Sequence, residues 1–264
     1  MRRFSAVLLV FLASATLAVA ADSRDPLARA RTLYNSGQFE AAIAAADLAH
    51  DVATHADSAD LIAARSYLER FRESRADDDL TNARTRLTRL DPQRLGGQER
   101  VEFFVGLGEA LYFDSAFGAA CDVFAMVLAH ADDLPPDARD RVLDWWASAV
   151  DREARTRTEI DRQAPYQRIR DRMQQELTTR PGSSAASYWL AAAARGQGDW
   201  QAAWGAAQAG WLRAPLAGDR GNALRADLDK FVLQVLVPER AKVLADSADS
   251  VRQQWEEFKE KWSR

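Results

Sequence analysis

Along most of the chain apolar side chains recur at steps of three and four, and no stretch alternates in the period of two that a half-buried strand needs. Ala, Leu, Arg, Glu and Gln, all strong helix formers, fill most other positions, while 13 Gly and 8 Pro leave breakers sparse. The pattern predicts an all-α chain. With 47% hydrophobic and 28% charged residues over a length of 264, it has enough apolar surface for a sizeable core.

One pattern occurs three times. Ala30, Leu33, Tyr34, Gly37, Gln38, Phe39 and Ala42 recur in register as Gly108, Leu111, Tyr112, Ser115, Ala116, Phe117 and Ala120. They recur again as Ala191, Ala194, Arg195, Gly198, Asp199, Trp200 and Ala203. Ala42, Ala120 and Ala203 are expected where two helices cross, because only a small side chain lets the backbones approach closely. The aromatic after each turn can fill the space between one helix pair and the next. Each unit buries little by itself and needs stacked neighbours.

On these residues the chain resembles the tetratricopeptide-repeat family. The unit centred on Gly108 matches best, since Phe104, Leu107, Gly108, Leu111, Phe117, Ala120 and Phe124 follow the family's order of large and small residues. The first unit adds Ala46 and Ala49, and the third has Pro215 where such repeats often end; Pro26 and Ser187 depart from the usual large aromatic. The resemblance implies a superhelical array of antiparallel helix pairs, roughly twelve helices in all, with a groove lined by the first helix of each pair.

The equivalent turn residues Gly37, Ser115 and Gly198 are 78 and 83 residues apart, about twice the family's period of about 34. Clear units near 24–55, 101–132 and 184–215 therefore leave room for irregular helix pairs at 56–92 and 136–181. Helices are expected at 61–71 and 80–90, from Pro136 through Trp145 and Trp146, and at 166–179. Residues 22–215 form the expected repeat domain and 216–264 its C-terminal cap, with 216–222 as a loop. Leu244, Ala248, Val251, Trp255, Phe258 and Trp262 follow one another at steps of 4, 3, 4, 3 and 4 along one helical face. Two tryptophans in so short a stripe favour a helix folded back on the last repeat, and hence a monomer, over a coiled-coil seam.

The first twenty residues differ in kind. Arg2 and Arg3 precede an apolar run and then Ala18, Val19 and Ala20, the composition of a cleavable secretory signal, so the mature protein is expected to begin at Ala21 and to be periplasmic or secreted. No later apolar run is long enough to span a membrane. Cys121 is the single cysteine, which leaves no lipid acceptor at the cleavage site and no intrachain disulfide; it reads as a small buried hydrophobe. Residues 22–144 carry 14 basic and 23 acidic side chains against 19 and 16 in residues 145–264, a balance unsuited to nucleic acid.

No catalytic constellation emerges. His50, His55 and His130 lack metal-ligand spacing, and Asp77, Asp78 and Asp79 read as the acidic first turn of a helix rather than a calcium loop or an acid dyad. An all-α hydrolase has no nucleophile elbow or phosphate loop to support it. No cofactor is expected. The repeat resemblance implies instead a protein-binding groove with Arg31, Tyr34, Asn35, Glu109, Tyr112, Phe113, Tyr188, Trp189 and Arg195 on its inner side. Aromatics and arginines are common binding anchors. Leu27 and Arg31 stand where repeats that clamp a carboxyl terminus carry Lys and Asn, which disfavours that ligand. All eight tryptophans lie at or after Trp145; Trp200, Trp204 and Trp211 share a face and read as core, whereas Trp145, Trp146 and Trp189 could present indoles to sugar rings. Two readings follow: a non-enzymatic envelope scaffold that holds a protein or extended peptide, and a helical module that binds peptidoglycan or another glycan.

Overall fold

The computed structural model describes residues 25–130 and 134–262, and the expected leader at 1–20 lies outside the described residues. The chain divides into two units between Ser115 and Ala116. The described residues are helical with no strand, as the periodicity predicts.

The first unit comprises α1 (Pro26–Asn35), α2 (Phe39–His50), α3 (Ala56–Ser74), α4 (Asp77–Leu87) and α5 (Gly97–Phe113). Pro26 supplies a preset φ at the start of α1, and the Asp25 carboxylate accepts the Leu27 N–H at 2.9 Å. Consecutive helices joined by short turns pack antiparallel, and α3 lies against both α1 and α5. Ala30, Ala42, Ala46, Ala49, Ala59 and Ala63 have no accessible surface, so methyl groups alone separate these backbones at the crossings. Leu61, Leu68, Phe71, Leu80, Leu87 and Phe103 form the larger apolar cluster. The helices expected at 61–71 and 80–90 are present, the first longer by several residues at its start. Asp77 does open α4, with Asp79 buried beside Arg70 at 3.3 Å.

The second unit runs through α6 (Phe117–Ala129), α7 (Pro136–Arg155), α8 (Gln163–Thr179), α9 (Ser184–Gly196) and α10 (Trp200–Arg213). A 3₁₀ turn (Ala214–Arg220) leads to α11 (Gly221–Phe231), a π turn (Val232–Leu236), α12 (Val237–Leu244) and α13 (Ala248–Trp262). Arg139 clamps Glu176 with two bonds of 2.8 and 2.7 Å and so ties α7 to α8. Cys121 is a buried thiol in α6. The stretch read as a loop at 216–222 is therefore the 3₁₀ turn and the start of α11. Pro238 explains the π turn: it has no N–H for the carbonyl four residues back, and the Val237 N–H reaches instead to Val232, five back.

The three repeat turns share one backbone device. Gly37 and Gly198 have φ of 73° and 79°, and Ser115 adopts the same left-handed conformation at 63°. The Gln38 N–H bonds to the Leu33 carbonyl at 2.9 Å, and the Asp199 N–H bonds to that of Ala194 at 3.0 Å, so both helices end with the same backbone closure. Asp199 then caps α10 by accepting the Ala202 N–H at 2.9 Å.

The C-terminal stripe folds as a cap, but over only part of its length. Ala245 takes φ 52° and ends α12, which detaches Leu244 from the face shared by Val251 and Trp255. Those two are fully buried. The Trp255 ring meets Trp204 at 5.7 Å and Trp211 at 5.6 Å, and its N–H donates to Asp229 at 2.8 Å. Phe258 is half-buried and Trp262 is 52% exposed.

Candidate functional site

In each unit the first helices of successive pairs share a face. In the first unit these are α1, α3 and α5. Steps of three and four place Arg31 and Tyr34 on α1, Ser58 and Arg65 on α3, and Glu99, Glu102 and Glu109 on α5 toward one another. Arg31 pairs with Glu99, which also accepts the Ser58 hydroxyl at 2.6 Å. Arg65 pairs with Glu102 at 2.9 Å and lies 4.6 Å over the Tyr34 ring. Burial pushes the Tyr34 hydroxyl up to about 12, against the pull of Arg65. Glu109 is buried, and its charge acts on both Tyr34 and Arg65. This face is largely satisfied by its own ion pairs.

Asn35 is exposed and Tyr112 half-buried beside Phe113 at 6.0 Å. Phe113 is not a groove residue: it packs edge-on against Phe71 at 4.9 Å on the apolar cluster. Its position next to Tyr112 turns it about 100° around the helix, toward the core.

The second unit offers an open site. A cleft of 610 Å³ lies between α7, α9 and α11. Ala185, Leu224, Phe231 and Tyr188 give it an apolar lining, and the Tyr188 ring sits edge-on to both Phe231 and Trp189 at 5.7 Å. The π turn adds Gln234 and Val235. Three carboxylates and three cations reach the same space: Asp140, Asp144 and Asp227, with Arg141, Arg220 and Lys230.

Two of the six are committed to structure. Asp140 accepts the Ser184 and Ala185 N–H groups at 3.1 and 3.2 Å, capping α9, and it also pairs with Arg220 at 3.2 Å. Asp144 is different. Its Oδ1 accepts the Trp189 indole N–H at 2.7 Å, but no cation among the described residues pairs with it or with Asp227. Desolvation by the surrounding cleft walls raises the Asp144 carboxyl above its ordinary value; the indole bond and the charge of Arg220 oppose that shift, while Asp140 and Asp227 add to it. The side chain still meets solvent through the cleft mouth. Tyr188 is likewise pushed up by burial and then by Asp227 and Asp144. Both shifts describe a locally negative spot.

Of the residues assigned to this groove from sequence, Tyr188 lines it. Trp189 is only 9% exposed and supports it through its N–H, so its ring is part of the packing. Arg195 is exposed but held by Glu239, with Nε 3.1 Å from both carboxylate oxygens. Trp146 is buried beneath Arg168 at 5.3 Å, and Trp145 stacks on Phe124 at 6.1 Å. Adjacent indoles on one helix thus fill two separate seams, which sequence periodicity could not distinguish from display to solvent. The cleft's carboxylates were missed. Asp137, Asp140 and Asp144 do share a helical face by their spacing, but near a helix start that pattern also reads as an ordinary response to the macrodipole.

Compared with known proteins, the chain matches no family model and no curated protein.

Proposed function

We propose that this protein is a non-enzymatic adaptor of tetratricopeptide-like architecture that binds an extended peptide segment of a protein partner in the cleft between α7, α9 and α11. The apolar leader read at residues 1–20 assigns that work to the periplasm or the cell exterior, in keeping with a role in envelope assembly. One observation carries the reading: the cleft combines an apolar, aromatic lining with charged groups, Asp144, Asp227, Arg141 and Lys230, that form no ion pair among the described residues. Such a site contributes area through Tyr188 and Phe231 and orientation through its polar groups. The burial of Trp146 and Trp189 and the stacking of half-buried Trp145 on Phe124 favour this reading over a glycan platform built on those three indoles.

The test is selection from a random peptide display library on the immobilised full chain, alongside sedimentation with purified peptidoglycan. The expected outcome is an enriched peptide set that Tyr188→Ala no longer retains while its melting transition stays cooperative. Sedimentation with the wall and no enriched peptide would overturn the reading.

A further inference from the structure

Within the second unit, interior carboxylates are matched to donors of opposite charge. Glu176 has Arg139 at 2.7 Å, Asp151 has Arg155 at 2.7 Å, Asp229 has Lys259 at 2.7 Å, and Asp140 has Arg220 at 3.2 Å. Asp144 and Asp227, both exposed at the cleft, form no such ion pair. The Trp189 indole fixes Oδ1 of Asp144 and so orients the carboxylate, but a neutral N–H does not cancel its charge. The other oxygen has no partner among the described residues.

Arg141 and Lys230 line the same cleft and do not supply the missing charge. Neither forms an ion pair with a carboxylate of the described residues. Arg141 follows Asp140 directly and so points about 100° away from it around α7. Lys230 is three residues beyond Asp227 on α11, a spacing that permits an ion pair, yet none forms. The cleft therefore holds two carboxylates without an ion pair toward Tyr188, Asp144 being only partly offset by the more distant charge of Arg220.

We infer that the peptide bound here carries a single basic residue, whose ammonium or guanidinium is received by Asp144 and Asp227 and whose alkyl stem lies along Tyr188 and Phe231. This rests on the peptide-binding reading above and adds the chemical class of the anchor. Long basic side chains combine an apolar stem with a charged head, and the cleft presents those two surfaces side by side. Arg141 and Lys230 repel a second positive charge, so one basic residue is accepted and a polybasic run is not.

Peptides recovered from the display library on the full chain provide the test. The expected set shares one Lys or Arg at a fixed place beside an apolar residue. Replacing that residue by norleucine, which keeps the stem and removes the charge, should weaken binding in fluorescence polarisation by about tenfold or more. Asp227→Asn should shrink the difference between the two peptides, and Asp144→Asn with Asp227→Asn should abolish it. In a ¹H–¹⁵N spectrum the Trp189 indole signal, assigned by its loss in Trp189→Phe, should shift with the basic peptide and not with the norleucine one. Enriched peptides with no basic preference, or equal affinities for the two forms, overturn this inference and leave the peptide reading standing. An absence of any enriched peptide overturns both.

Discussion

Ser115 holds a left-handed backbone, φ 63°, at the position where the other two repeat turns have glycine. A side chain there crowds the following carbonyl, whereas glycine does not. Ser115→Gly should therefore raise the unfolding free energy by about 0.5–1 kcal/mol in urea titrations. Gly198→Ala should lower it by about 1–2 kcal/mol. No atom lies within 4 Å of the added methyl at Gly198, so the loss is one of backbone conformation and not of packing. Asp144 presents a second residue-scale prediction. Its folded carboxyl is raised, so its contribution to stability falls as pH climbs from the ordinary carboxylate range through the raised value, and the full cost persists above that. Asp144→Asn keeps an acceptor for the Trp189 indole and removes the charge. Its melting temperature at neutral pH should equal or exceed that of the parent, with the difference closing in acid, while affinity for a basic peptide falls. A melt well below the parent at neutral pH would show that the charge serves the fold.

Helices and their turns were the most legible level, because they depend on neighbours three and four residues away. The buried alanines of α2 and α10, the breaks at Gly37 and Gly198, and the pairs at 56–92 and 136–181 all followed from local spacing. Contacts between distant segments did not. Trp189 could not be read correctly from its own helix, since the group that fixes it, Asp144, lies 45 residues earlier. The cleft was missed for the same reason, as its walls come from α7, α9 and α11, and α11 lay partly in a stretch read as loop. The closing stripe was half legible: its period identified a cap, but Ala245 interrupts it before the face is complete. Trp255→Ala removes the fully buried indole at the centre of that cap and should cost about 3–5 kcal/mol, measured by the denaturant midpoint. Trp262→Ala, at an exposed position, should change stability by less than about 0.5 kcal/mol.

For the molecule as a whole, export is the proposal that fixes its surroundings, and the intact mass of protein recovered from its native host checks it. The expected mass is that of a chain beginning at Ala21; a full-length mass in the cytosolic fraction would contradict it. No helix among the described residues is long and apolar enough to cross a membrane. The α13 cap bears on such a route. A chain is synthesised and threaded from its amino end, so Trp204 and Trp211 leave the ribosome well before the indole of Trp255 that covers them. Until that late segment arrives, the second unit lacks the ring that Trp204, Trp211 and Phe258 pack against and cannot settle into its final packing. The order of synthesis thus delays locking of the second unit until α13 has been made.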